Sequence, residues 1–247
     1  MPRLQLSTWQ EVDTYLASRR DIIMPIGSTE QHGPNGLIGT DAICPEIIAN
    51  GVAEKTGVMV GPTLAIGMAQ HHMAFAGTIT YRPQVLIETL KDVVASLTKH
   101  GFERIYFLNG HGGNIATITA AFSEMYAETS LRGANRPFRL KVSSWFMGRR
   151  AREMSKELYG DSEGSHATPS EVSLSYYAFP DFVKQAAMSP KIAPRGTIRD
   201  ADDYRRQFPD GRIGSDPSLS TVEHGERIFN ASVEDVIEDL KAFVDEA

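Results

Sequence analysis

The sequence predicts an α/β fold in which a mostly parallel sheet is covered by helices on both faces. Three observations carry this. Short strand-like runs alternate with longer stretches of helical spacing. The strand-like runs are apolar almost throughout rather than alternating, as expected of strands buried on both sides. Glycines also close two helical stretches just before a strand is due, at Gly57 and Gly101.

The first strand is read over Asp21-Ile22-Ile23-Met24-Pro25-Ile26 and ends at Gly27. A polar, glycine-rich segment, Ser28 to Asp41, follows as a loop. Ile43, Ile47, Ile48 and Val52 then recur at helical spacing up to Gly57. Pro45 is tolerated only in a first turn, so this helix is expected to start close to it. Val58-Met59-Val60 is a second strand. From Gln84 to His100, Leu86, Leu90, Val93, Val94 and Leu97 form one apolar stripe of a helix capped by Gly101. Arg104 to Leu108 is a third strand. It breaks at Asn109-Gly110-His111-Gly112-Gly113-Asn114, and a helix follows from Ile115 to Ala127. Leu140 to Trp145 is a fourth strand. Ser189 to Ser220, rich in Pro, Gly and Asp, reads as a long ordered loop or an exchanged arm. Ser232-x-x-Asp235 resembles a capping box, and Val236, Ile237, Leu240, Phe243 and Val244 line a closing helix that starts there or upstream. No linker divides the chain, so residues 1–247 are read as one domain.

The composition narrows the function classes. Hydrophobic residues make up 41% and charged residues 23%, as in ordinary soluble domains. A net charge of −6 argues against nucleic acid, which needs clustered cations; the pairs Arg19-Arg20 and Arg149-Arg150 read as solvated charges. The single cysteine, Cys44, excludes an intrachain disulfide and a cysteine-rich zinc site. No apolar run has the length of a signal peptide or membrane span, so a cytoplasmic protein with no membrane partner is expected.

Both unusual loops directly follow strands, and in parallel sheets ligands bind beyond the carboxyl ends of the strands. The loops are therefore expected to open onto one site. Glu30 and His32, two residues apart, point to one side of an extended segment. Asp41, just before a helix, is placed to bridge two cations, and the glycines around His111 let the backbone turn its imidazole into the crevice. Two carboxylates and two histidines without cysteine suit catalytic zinc, manganese or iron(II). In Ser165-His166-Ala167-Thr168-Pro169-Ser170-Glu171, His166 is a candidate general acid/base; Glu171 is either a metal ligand or a helix cap. His71-His72 either lines the pocket or is structural, Trp145 is either a pocket wall or core, and His100 and His224 read as surface. Gly33, Gly36 and Gly39 offer a rival, a phosphate- or nucleotide-binding loop, but they lack the dinucleotide spacing and no Walker lysine follows.

The series Gly27-x-x-Glu30-x-His32-Gly33, Gly39-Thr40-Asp41, Gly77-Thr78, Asn109-Gly110-His111-Gly112-Gly113-Asn114 and His166-x-x-x-x-Glu171, with the tail Gly214-x-Asp216-Pro217, resembles the creatininase family of metal-dependent amidohydrolases. The resemblance implies a three-layer α/β/α sandwich, two divalent ions (zinc, manganese or both, with iron a further option), a small-molecule substrate and often a homohexamer. It implies that Glu30, Asp41 and His111 hold one metal, that His32 and the bridging Asp41 hold the second, that His166 is catalytic and that Trp145 walls the pocket. The creatininase pattern carries Tyr and a metal-ligating Glu where this chain has Gly112 and Gly113, and Trp where it has Ser162. Glu171 is the candidate to replace that carboxylate. Gly112 and Gly113, with His72, are assigned to substrate binding. The expected reaction is hydrolysis of a cyclic amide or related C–N bond, with a metal-dependent lactonase as the alternative.

Overall fold

The computed structural model describes residues 2–133 and 138–246. Four strands, β1 (Asp21–Ile26), β2 (Met59–Val60), β3 (Arg104–Asn109) and β4 (Arg139–Ser144), form a wholly parallel sheet in the order β2-β1-β3-β4. Ile22 lies opposite Met59 on one side and Ile105 on the other. Pro25 sits in a strand paired on both sides, where proline is normally excluded. It is accommodated because β2 has already ended at that level; a loop amide, Leu64 N, donates to the Pro25 carbonyl at 2.9 Å.

The helices are α1 (Trp9–Leu16), α2 (Thr40–Thr56), α3 (Pro83–His100), α4 (Ile115–Arg132), α5 (Arg149–Tyr159), α6 (Pro169–Ala178), α7 (Ala201–Gln207) and α8 (Val222–Asp245). Strand pleating sends Ile22, Met24, Ile105 and Phe107 into one core with Leu86 and Leu90 of α3 and Ile118 of α4. It sends Ile23, Tyr106 and Leu108 into a second core with residues of α2, α5, α6 and α8. These two cores on opposite faces of the sheet make the three-layer α/β/α arrangement. No helix among the described residues is long and apolar enough to cross a membrane.

Three local expectations change. The helix expected near Pro45 begins at Thr40, so Pro45 lies inside α2. Lacking an N–H, it leaves the Asp41 carbonyl without its helical donor. That carbonyl packs against two glycines at strand ends: a Cβ on either Gly27 or Gly110 would lie 2.0 Å from it. The first turn of α2 is thereby pressed onto the carboxyl end of the sheet, carrying Asp41 with it.

Secondly, Ser232 does not cap a helix. α8 starts ten residues earlier with Thr221 as its cap, and Ser232 is buried within it. Asp235 instead accepts the Ala151 amide at 2.9 Å, closing the start of α5. Thirdly, residues 189–220 contain α7 and fold back on their own chain: Ser215 Oγ donates to the His166 carbonyl at 2.7 Å and Tyr204 packs beside His72. Arg212, fully buried, ties the segment down through the carbonyls of Pro190, Lys191 and Ser215.

Candidate metal centre

The two loops meet beyond β1 and β3. Glu30, His32, Asp41 and His111 are all nearly or wholly buried. His32 Nε2 lies 3.0 Å from Asp41 Oδ1, and His111 Nε2 lies 3.3 Å from Glu30 Oε2. His111 Nδ1 approaches Asp41 Oδ2 to 2.9 Å, and His72 Nε2 approaches Glu30 Oε1 to 2.9 Å. Neither of these last two contacts is a hydrogen bond, and both carboxylate oxygens are buried against an imidazole. A buried carboxylate oxygen that faces an imidazole without a hydrogen bond is incompletely satisfied, at roughly 1–3 kcal/mol each. A cation would relieve that cost.

Three groups place one donor atom per residue within 4.8 Å of one another: Glu30, Asp41 and His111; His32, Asp41 and Glu171; and Glu30, His32 and His166. The first two share Asp41. Glu171 is a helix cap that also stands beside the cluster. Its Oε1 accepts the Thr168 amide at 2.6 Å in a capping box at the start of α6, and the same oxygen stands 4.0 Å from His32 Nε2.

His166 is fixed from its far side. Its Nε2 lies 2.8 Å from the Gln31 carbonyl and 2.9 Å from the Gln31 side-chain amide nitrogen, while Nδ1 faces Glu30 Oε1 at 3.9 Å. Ala167 takes a left-handed φ of 51°, a strained conformation for alanine that turns the chain sharply between His166 and Glu171.

A cavity of about 760 Å³ opens beside the cluster, with Asp41, His111, His166 and Glu171 on its inner wall. Trp145 lines it while also packing into a core, so both readings of this residue coexist. Gly112 lines it and has open space where a side chain would be. Gly113 differs from the expectation: a Cβ there would meet His111 Nε2 at 2.4 Å and the Met68 carbonyl at 2.7 Å, so it makes room for the His111 ring rather than for substrate. His72 also differs. It lies behind Glu30, with Nδ1 3.0 Å from the Gln31 amide, and does not border the cavity. His100 is exposed, and His224 is half-buried with Nδ1 3.1 Å from the Tyr159 hydroxyl.

Gln31 is a further residue of the site, its amide nitrogen within 3.2 Å of His72, His166, Tyr204 and the Gly211 carbonyl. Its position between two ligand candidates was the only signal in the sequence; its partners lie 41 to 180 residues away. Glu163 is another. It lines the cavity, and burial pushes its carboxyl up to about 7.

In the metal-free protein the charges are mutually dependent. Burial works against the charge on Asp41, yet His32 and His111 outweigh it and hold its carboxyl below the usual range. Burial likewise opposes charge on His32 and His111, but Asp41 and Glu30 overcome it, raising them to about 10 and about 9. Burial, with His32 opposing it, pushes Glu171 up to about 7. Burial, His72 and His32 push His166 well below the ordinary histidine value, so it is neutral. A histidine whose pKa is raised on folding stabilises the native state fully below its unfolded value near 6.5, and that stability is lost as pH rises through the folded value. The chelated protein should therefore melt at progressively lower temperature from about pH 7 to about pH 10. Thermal unfolding across that range checks this, and a flat or rising midpoint would contradict the charge assignment.

The profile of the creatininase family (creatinine amidohydrolase) matches residues 5–240. Among curated relatives, 3-dehydro-scyllo-inosose hydrolase of Thermotoga maritima is 28% identical, covering 98% of this chain and 79% of its own length. Creatinine amidohydrolase of Pseudomonas putida is 26% identical, covering 95% and 94%. Mycofactocin precursor peptide peptidase of Mycobacterium ulcerans is 28% identical, covering 87% and 82%. Solved creatininases of the manganese and Zn–Zn forms superpose with TM-scores of 0.84 at 24% identity, covering 99% of this chain and at least 98% of theirs. A profile that spans nearly the whole chain, joined to the same three-layer fold, shows that this protein belongs to the creatininase family.

Proposed function

We propose that the protein is a dinuclear metal-dependent hydrolase of a cyclic amide or related C–N bond. The observation that carries this is the pair of donor groups sharing Asp41: Glu30, Asp41 and His111 for one divalent ion, and His32, Asp41 and Glu171 for the other. The donors are nitrogen and oxygen only, a set suited to zinc or manganese, and Glu30 Oε1 and Asp41 Oδ2, buried without a hydrogen bond, fit a cation. Bound divalent ions supply Lewis acidity, which acidifies water and polarises a carbonyl.

His166 is neutral at the start, with Nδ1 turned toward the cluster. It accepts a proton from the attacking water there and returns it to the leaving nitrogen. Gln31 holds the ring through Nε2, and Gly112 leaves room beside His111 for the acyl portion.

The glycine loop gives little support to the phosphate-binding rival. A Cβ on Gly36 would meet the His32 carbonyl at 2.3 Å, and one on Gly33 would meet Arg212 at 2.8 Å. Those glycines face the protein's own atoms. The lactonase alternative uses the same residues with an alkoxide leaving.

The test is metal per chain, by elemental mass spectrometry on untagged protein, with turnover measured on matched lactams, lactones and short peptides before and after chelation. The panel is set by relatives named for creatinine, an inosose and a precursor peptide. About two ions per chain, with lactam turnover that chelation removes and metal restores, is expected. Activity that survives chelation would overturn the reading.

A further inference from the structure

Helix α5 sorts its cations. Arg150 points away from the cavity and is held by Asp235 at 3.0 Å and by Glu238 on α8. Arg149, Arg152 and Lys156, spaced i, i+3 and i+7, fall on one face, and all three line the cavity that holds the cluster. Arg149 is offset by Glu153 at 3.0 Å. Arg152 and Lys156 are exposed, and among the described residues neither is engaged by an ion pair or side-chain hydrogen bond. Glu163, another carboxyl on this wall, is half-buried, accepts from the Ser170 hydroxyl and does not pair with them.

Two uncompensated cations one helical turn apart thus border the same cavity as the cluster. We propose that Arg152 and Lys156 form an anion subsite for a carboxylate carried by the substrate, so that the substrate class is a carboxylated amide. This rests on the reading of the cavity as a substrate site. A carboxylate fits better than a phosphate: the two donors are side chains beyond the first turn of α5, without the converging amides of a helix N-terminus that phosphate sites use. One arginine fork and one ammonium match a singly charged, planar group.

The test compares binding of hippurate and its neutral counterpart hippuramide to the metal-loaded enzyme by titration calorimetry. Metal content and thermal midpoint are measured on the same samples. Wild type should bind hippurate roughly tenfold more tightly at low salt, and the preference should shrink as salt rises. In the Arg152→Ala/Lys156→Ala double variant the preference should fall below about twofold, with hippuramide binding and metal content unchanged. Both side chains are exposed, so folding should survive; Arg152→Ala alone should give an intermediate preference.

A preference absent from the wild type would overturn the proposal. So would a preference kept in the double variant, since the carboxylate would then be held elsewhere, and so would phenyl phosphate binding more than about tenfold tighter than hippurate. Because the readout is binding, loss of all turnover would sink the hydrolase reading while leaving this comparison intact.

Discussion

Replacing Asp41 by alanine is expected to cut bound metal from about two ions per chain to one or fewer, and turnover by roughly 10³-fold or more, the scale of losing preorganised electrostatics at a reacting centre. No other residue belongs to both proposed donor groups, and its Oδ2 has no protein hydrogen bond to keep it in place. Loss of Glu30 or Glu171 should leave one group intact. The fold should tolerate the change, because the position of α2 is set by backbone: the Asp41 carbonyl is seated between Gly27 and Gly110, and that contact survives in alanine. His32, relieved of its strongest anion, and His111, left with Glu30, can shed their protons instead of remaining as buried unpaired charges, which keeps the loss below the roughly 3–5 kcal/mol of a broken buried ion pair. Asp41→Asn, which keeps shape and drops charge, should behave like alanine. Elemental analysis and kinetics on folded variant protein decide the matter. Two ions retained with near-normal turnover would remove Asp41 from the bridging role.

The layers of the fold were legible because burial on both faces writes itself into each strand as a continuous apolar run, as in Ile22 to Ile26 and Ile105 to Leu108. The gathering of Glu30, His32, Asp41 and His111 was legible for a topological reason: loops leaving the carboxyl ends of adjacent parallel strands share one crevice, and β1 and β3 are adjacent. What escaped depends on contacts made far along the chain. Pro45 reads as a helix start unless Gly27 and Gly110 are known to press on the Asp41 carbonyl. Ser232-x-x-Asp235 has the letters of a cap, but Asp235 is claimed by α5 across 84 residues. Gly112 and Gly113 are indistinguishable as letters, and only the position of the His111 ring makes one open and the other closed. Arg149-Arg150 likewise reads as one solvated pair, yet a helix sends the two side chains to different partners.

His166 belongs to a candidate donor group with Glu30 and His32 as well as being the proposed proton carrier, and its replacement by alanine separates the two roles. As a proton carrier it should cost roughly 10²–10⁴-fold in kcat, with about two ions retained and KM little changed. As a ligand it should cost metal. The geometry favours the first role: Nδ1 is 3.9 Å from Glu30 Oε1, and Glu30 already has His111 and Asp41 as partners in a complete donor group. The neutral ring, held through Nε2 by Gln31, turns Nδ1 inward, where a proton taken from water can be passed to the leaving group. The acidic limb of the pH–kcat profile should therefore depend on His166 and weaken in His166→Ala, because protonating Nδ1 removes the acceptor. Substrates with easily expelled leaving groups should lose less than poor ones, since they need less help from a proton. Uniform loss across leaving groups together with depleted metal would place His166 in the coordination sphere; retained metal with a leaving-group-dependent loss would keep it at the proton transfer.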